Sequence, residues 1–229
     1  MSTRNVLALR YLETLEKRLT SHSLVTERVE TENAIRMSAT ATAQHKITCR
    51  ENIWLYFCCL QDIFDTVVDL FRLSPEDARK AIGGEYHSKF PNFMGHNPFR
   101  QIGHCLPKSG KSTSCIYNKW QGHKRLPIFQ SYPDLAIKDP APVRIVFDAK
   151  YFTGGDAELA LVEGMRELAY YRGLPKSGEG GSLYDFGCLL AYDASKDGAL
   201  FKKWHSIEDK DFFWRSSNIK PIILREAPL

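Results

Sequence analysis

The chain has 229 residues, 43% of them apolar and 25% charged. That is ordinary globular composition, long enough to bury a core without disulfide staples, which excludes disorder as the main state. The longest apolar run, Ile53 to Leu60, is eight residues. A membrane span needs about twenty, so the chain is not expected to cross a bilayer. The net charge of +4 hides an uneven distribution: Tyr86 to Gln130 holds no acid and carries +7, leaving −3 for the rest.

The elements follow in chain order. Residues 1–20 read as an amphipathic helix with Val6, Leu9, Leu12 and Leu15 on its apolar stripe. The same stretch lacks the apolar segment and small-residue cleavage site of a signal peptide, so the expectation is a cytoplasmic, nucleoid or nuclear protein that is not secreted. A second helix is expected over 24–44. Glu51 to Phe71 is the clearest helix, with Trp54, Phe57, Cys58, Leu60, Ile63, Phe64, Val67, Val68 and Phe71 giving a broad buried face. Ser74-Pro75-Glu76-Asp77 starts another: serine caps, proline fills the first helical position and acids fill the first turn. Gly83-Gly84 stops it.

The basic segment 84–127 is rich in Gly, Pro, Asn, Lys and Ser and reads as long loops. Lys89, Arg100, Lys108, Lys111, Lys119, Lys124 and Arg125 are interleaved with Tyr86, Phe90, Phe93, Phe99, Tyr117 and Trp120. Such a mixture can neutralise phosphates and stack on bases, or it can be a solvated loop with aromatic anchors. Lys108-Ser109-Gly110-Lys111-Ser112 has the tail of a phosphate-binding P-loop, but the required glycine is replaced by Cys105 and no apolar strand precedes it. Cys105, Cys115, His104 and His123 match no common zinc spacing. The six cysteines form no CxxC and read as free thiols in a reducing compartment.

From Ile128 the pattern changes. Ile128 to Ile137 reads as a strand, Lys138 to Pro142 as a turn, and Val143 to Tyr151 as a strand of clean alternation. Val143, Ile145, Phe147, Ala149 and Tyr151 share one face; Arg144, Val146, Asp148 and Lys150 share the other. A helix over Asp156 to Arg172 follows, with Ala157, Leu161, Met165 and Leu168 as its core stripe. After a loop at 176–182 comes an apolar strand, Tyr184 to Tyr192, so a parallel crossover is expected. A helix around 198–206 and a strand from Ile222 to Leu224 close the chain. The organisation is a single domain, 1–229: an N-terminal helical region 1–48, core helices 49–83, a basic insertion 84–127 and a catalytic core 128–229.

The turn near Ala141 carries the chemistry. Asp134 lies seven residues before Ala141 and Asp148 seven after it, so the two carboxylates fall opposite each other on paired strands. Directly opposed residues come within about 5 Å. Lys150 is two residues beyond Asp148 and points the same way, roughly 6–7 Å further along. Two carboxylates so close repel unless a cation lies between them. Mg²⁺ suits such a pair: it takes one or two carboxylates, keeps waters and binds substrate phosphate. Asp134 read alone is a turn-forming acid after Pro133, and Lys150 read alone is a strand-end lysine.

Pro133-Asp134 followed by Asp148-Ala149-Lys150 resembles the PD-(D/E)xK nuclease superfamily, whose fold is restriction-endonuclease-like. The two halves fall on adjacent strands, and the motif strand feeds a helix and then an apolar strand, as in that fold's core. Glu51-Asn52-Ile53-Trp54 is similar to a "YE-x-W" helix that precedes the motif in the McrC-like branch. Glu167-Leu168-Ala169-Tyr170-Tyr171-Arg172 is similar to that branch's "Q-M-x-A-Y-R" helix, with Glu in place of Gln. The resemblance covers 51–72 and 128–192, under half of the chain.

The resemblance implies an α/β fold, a central mixed sheet flanked by helices, with an N-terminal helical region and a long basic loop insertion. It implies a metal-dependent endonuclease hydrolysing phosphodiester bonds in DNA, in restriction, defence, repair or recombination, with RNA as the other substrate class. Asp134 and Asp148 would ligate Mg²⁺, or Mn²⁺ as a substitute, together with the Ala149 carbonyl. Lys150 would position the attacking water. Glu51 would join the catalytic residues as an auxiliary ligand, directly or through water; its alternative is a helix-start acid favoured by the macrodipole. Glu167 and Tyr171 would line the site or face solvent. Lys108, Lys111, Lys119, Trp120, Lys124 and Arg125 would contact nucleic acid. Two alternatives stand beside this one. The first is a non-catalytic nucleic-acid-binding module; the second is a nuclease subunit dependent on a partner NTPase. A homodimer is the other assembly considered.

Overall fold

The computed structural model describes residues 2–21, 55, 59–84, 134–173 and 182–225, with side chains for all of these except 211–214. The expected helix over 24–44, Trp54, Phe57 and Cys58, the basic insertion beyond Gly84, the strand residues 128–133 and the loop 176–181 lie outside them. Six helices and five strands are described: α1 (Thr3–Ser21), α2 (Leu60–Phe71), α3 (Pro75–Ala81), β1 (Ile82–Gly84), β2 (Leu135–Ile137), β3 (Ile145–Phe152), α4 (Ala157–Gly173), β4 (Phe186–Asp193), α5 (Ala199–His205), α6 (Lys210–Ser217) and β5 (Ile219–Leu224).

The strands form one mixed sheet in the order β1-β2-β3-β4-β5. β1, β2 and β3 pair antiparallel; β3, β4 and β5 pair parallel. A tight turn serves the antiparallel pair β2–β3, whereas the parallel pair β3–β4 needs a crossover, which α4 provides. Gly154 and Gly155, with φ of 140° and 110°, carry the chain from β3 into α4 in a backbone region that side chains disfavour. Asp156 then accepts from the backbone N–H groups of Glu158 and Leu159 and so caps α4.

The alternation read in β3 sorts the core into two layers. Ile145, Phe147, Ala149 and Tyr151 join the layer formed with α1, α2 and α3; Val146 and Phe152 join the layer formed with α4 and α5. β4 is buried at every residue, as a central parallel strand between two helical layers must be. α1 packs on α2 through Tyr11, whose ring stacks on Phe71 at 5.3 Å and whose hydroxyl donates to the Ile63 carbonyl at 3.0 Å. Glu16 pairs with Lys220 at 2.7 Å and ties α1 to β5.

Several expectations are corrected. Val6 is 54% exposed, so the buried stripe of α1 begins at Ala8. Gly83-Gly84 does not simply end α3: it enters β1, where Ile82 pairs with Ile137 and Gly84 with Leu135. Glycine has little strand preference of its own, and β2's open edge supplies the pairing. The buried residues of α4 are Leu161, Gly164, Leu168 and Tyr171, while Ala157 and Met165 are only partly buried. The last strand begins at Ile219 and includes Pro221, a residue tolerated there because β5 is an edge strand of the described sheet. α6 is an element that the sequence pattern did not lead us to expect. The Ser74 cap is as expected: its hydroxyl accepts from the Asp77 N–H at 3.0 Å.

Candidate metal and catalytic site

β2 and β3 pair Leu135 with Phe147, Ala136 with Val146 and Ile137 with Ile145. One step further along this register, Asp134 faces Asp148, as the symmetric spacing about Ala141 requires. The two aspartates use their positions differently. Asp134 Oδ2 accepts the Ala149 N–H at 2.7 Å, so the side chain continues the ladder where the backbone of β2 begins. A strand residue's N–H and C=O lie on the same side. The Ala149 carbonyl therefore also points toward the β2 side of β3, beside Asp134.

Asp148 points to the α4 face of the sheet, the face Val146 and Ala136 share, and is 4% exposed beneath α4. α4 comes this close because position 164 is glycine. A Cβ there would lie 2.6 Å from Leu189 Cδ1 and 3.5 Å from Asp148 Oδ2. Gly164 was not among the residues expected at the site. The one available signal was a glycine within an otherwise helical pattern, which usually marks a packing reason.

Lys150 shares the face of Asp148. Its Nζ lies 3.2 Å from Asp148 Oδ2 and 3.1 Å from Glu167 Oε2, and it donates a hydrogen bond to Glu167. Glu167, one turn after Gly164 on α4, thus belongs to the cluster, with its side chain 41% exposed. Tyr171 follows one turn later. It is 2% exposed within the α4-side core layer, which corrects the solvent-facing alternative. Glu51, Lys108, Lys111, Lys119, Trp120, Lys124 and Arg125 lie outside the described residues, so the expected auxiliary acid and nucleic-acid contacts have no geometry.

Burial dominates the electrostatics. Loss of hydration raises the Asp148 carboxyl well above its ordinary value; Lys150 opposes this, and Asp134 and Glu167 reinforce it. The Asp134 carboxyl is also raised by burial, against the pull of Lys150 and the Ala149 hydrogen bond. Asp148 Oδ2 is buried and accepts no hydrogen bond. A buried carboxylate oxygen that has the Lys150 ammonium at 3.2 Å but no well-formed hydrogen bond, and that faces a second carboxylate, is an environment that would favour a divalent cation. Among the described residues no three His, Cys, Asp or Glu side chains are grouped to hold a metal. A two-carboxylate site with a carbonyl still fits Mg²⁺, which commonly takes one or two carboxylates and completes its shell with water and phosphate oxygens.

A groove of about 930 Å³ lies elsewhere, between α1 and the α6–β5 corner, lined by Asn5, Val6, Arg10, Arg215 and Asn218 among others. It shares no residue with the acidic cluster. No helix among the described residues is long and apolar enough to cross a membrane. Comparison with known proteins finds no matching family model, no matching curated protein and no matching solved structure.

Proposed function

We propose that the chain is a Mg²⁺-dependent endonuclease of the PD-(D/E)xK superfamily with a restriction-endonuclease-like core, acting on DNA. The observation that carries this reading is the convergence of Asp134, Asp148 and Lys150 at the open end of the β2–β3 pair. The mixed sheet with helices on both faces supports it, as does the passage of the motif strand into a helix and then a buried parallel strand.

Asp134, Asp148 and the Ala149 carbonyl would hold the cation. When bound, it polarises the scissile phosphate and lowers the pKa of a coordinated water. The chain's own groups do the rest. The Ala149 N–H fixes the Asp134 carboxylate against β3. Gly164 lets α4 shield Asp148 from solvent, which strengthens its interaction with positive charge. The Lys150 ammonium, 26% exposed, is within reach of a phosphate and offsets the negative charge that builds as water attacks phosphorus. The basic segment around 86–125 would hold the nucleic-acid backbone.

The test is incubation with plasmid and single-stranded DNA in Mg²⁺, Mn²⁺ or EDTA. Cleavage that requires the metal and is lost in both Asp134→Ala and Asp148→Ala is the expected result. Mn²⁺ binding by calorimetry should also vanish in each variant. Wild-type-like metal binding in either one overturns the assignment.

A further inference from the structure

Lys150 bridges a buried and a partly exposed carboxylate. Asp148 is buried, and its Oδ2 has the Lys150 ammonium at 3.2 Å as an ion pair without a well-formed hydrogen bond. Glu167 is partly exposed on α4 and accepts a hydrogen bond from the same ammonium at 3.1 Å. The Asp148 oxygen is the one a divalent cation would take. Mg²⁺ sits about 2.1 Å from its oxygen ligands. An ammonium and a divalent cation on one carboxylate oxygen would lie at mutually repulsive distance in a poorly hydrated pocket.

We propose that Lys150 and the divalent cation compete for Asp148 Oδ2, and that Glu167 is the positioning residue that keeps the ammonium at the site once the cation holds Asp148. The proposal rests on the metal-dependent reading above. It accounts for the Glu at position 167, where the resembling helix carries Gln. A neutral amide accepts a hydrogen bond, but only a carboxylate also balances the charge of a displaced ammonium. Gly164 sets the arrangement: with no Cβ in the way, α4 lies against Leu189 and presents Glu167 to Lys150 one turn later.

The experiment is a double-mutant cycle on Mn²⁺ affinity, using the full chain without DNA and following the free-ion EPR signal. Glu167→Gln should weaken Mn²⁺ binding about three- to tenfold, the scale of one partly exposed charge-assisted contact. Lys150→Met should tighten it, because the competitor is gone. With both changes the affinity should match Lys150→Met within about twofold, because Glu167 has no ammonium left to hold. Glu167→Asp should recover part of the loss. An unchanged Glu167→Gln penalty in the Lys150→Met background overturns the proposal, because Glu167 would then act as a ligand or through its field alone. Circular dichroism melting confirms that each variant is folded, and Lys150→Gln replaces Lys150→Met if the latter is not. A wild-type chain that binds no Mn²⁺ overturns the metal-dependent reading as well; metal binding with an additive cycle overturns only the exchange.

Discussion

Replacing Asp148 by Asn should stabilise the fold at neutral pH while removing activity. The carboxyl is 4% exposed, and its Oδ2 accepts no hydrogen bond. Loss of hydration, reinforced by Asp134 and Glu167, raises its pKa well above the ordinary value despite Lys150. A raised carboxyl pKa means the folded state binds more protons than the unfolded state between the two values. Stability then falls as pH rises from the ordinary carboxyl range through the folded-state value, and levels off above it. The contribution is fully present only below the unfolded pKa. A tenfold difference in proton affinity between the two states is worth about 1.4 kcal/mol. Asparagine has the same shape and no charge, and Lys150 keeps its hydrogen bond to Glu167. Replacing a buried ionic group by a neutral one of similar volume often gains about 1–4 kcal/mol. The lower half of that range, about 1–2 kcal/mol at pH 8, is the expectation here because Lys150 partly offsets the burial. In a chain of 229 residues this is about 2–4 °C in Tm per kcal/mol. The assay is urea or thermal unfolding of both proteins from pH 4 to pH 8.5 in EDTA. The stability difference should grow with pH in favour of Asp148→Asn. A variant that is less stable than wild type at pH 8, or a difference independent of pH, refutes the reasoning.

Two further outcomes follow from the same geometry, and a third from the charge of the basic segment. Lys150→Met should retain Mn²⁺ binding and lose at least about a hundredfold in cleavage rate, the scale of removing one preorganised electrostatic group; a near-normal rate would reduce Lys150 to a strand-end lysine. Gly164→Val should destabilise the chain by about 1–3 kcal/mol and weaken metal binding, because its Cβ would meet Leu189 Cδ1 at 2.6 Å and its methyl groups would extend past a Cβ already in contact with Asp148 Oδ2 at 3.5 Å; unchanged stability in denaturant melts would count against the close α4–β4 approach. Changing Lys108, Lys111, Lys119 and Lys124 together to Gln should flatten the log–log salt dependence of duplex DNA binding by about three to four units with little effect on Mn²⁺ affinity, and an unchanged slope would place the DNA elsewhere.

The candidate site was legible because a hairpin converts linear spacing into position. Equal distances from Ala141 placed Asp134 across from Asp148, and period-two alternation put Lys150 on the face of Asp148; the register and the Lys150 ion pair agree. β3, α4 and β4 were legible for the same local reasons: strict alternation, helical periodicity closed by a glycine, and an unbroken apolar run. The parallel pairing of β3 with β4 followed from the helix between them. Other features depend on partners distant in the chain. Two glycines become β1 only because β2 presents an open edge at Ile137 and Leu135. Pro221 belongs to a strand only because β5 lies at the edge of the described sheet. Val6 fits the helical stripe of α1, yet burial depends on where α2 and β5 lie, and it stays exposed. Glu167 shows the division most clearly. Its sequence allowed either a solvated helix face or a site acid, since helical position states which residues share a face but not what that face meets. Tertiary packing decided the matter by seating Gly164 against Leu189, which brings Glu167 to within 3.1 Å of Lys150.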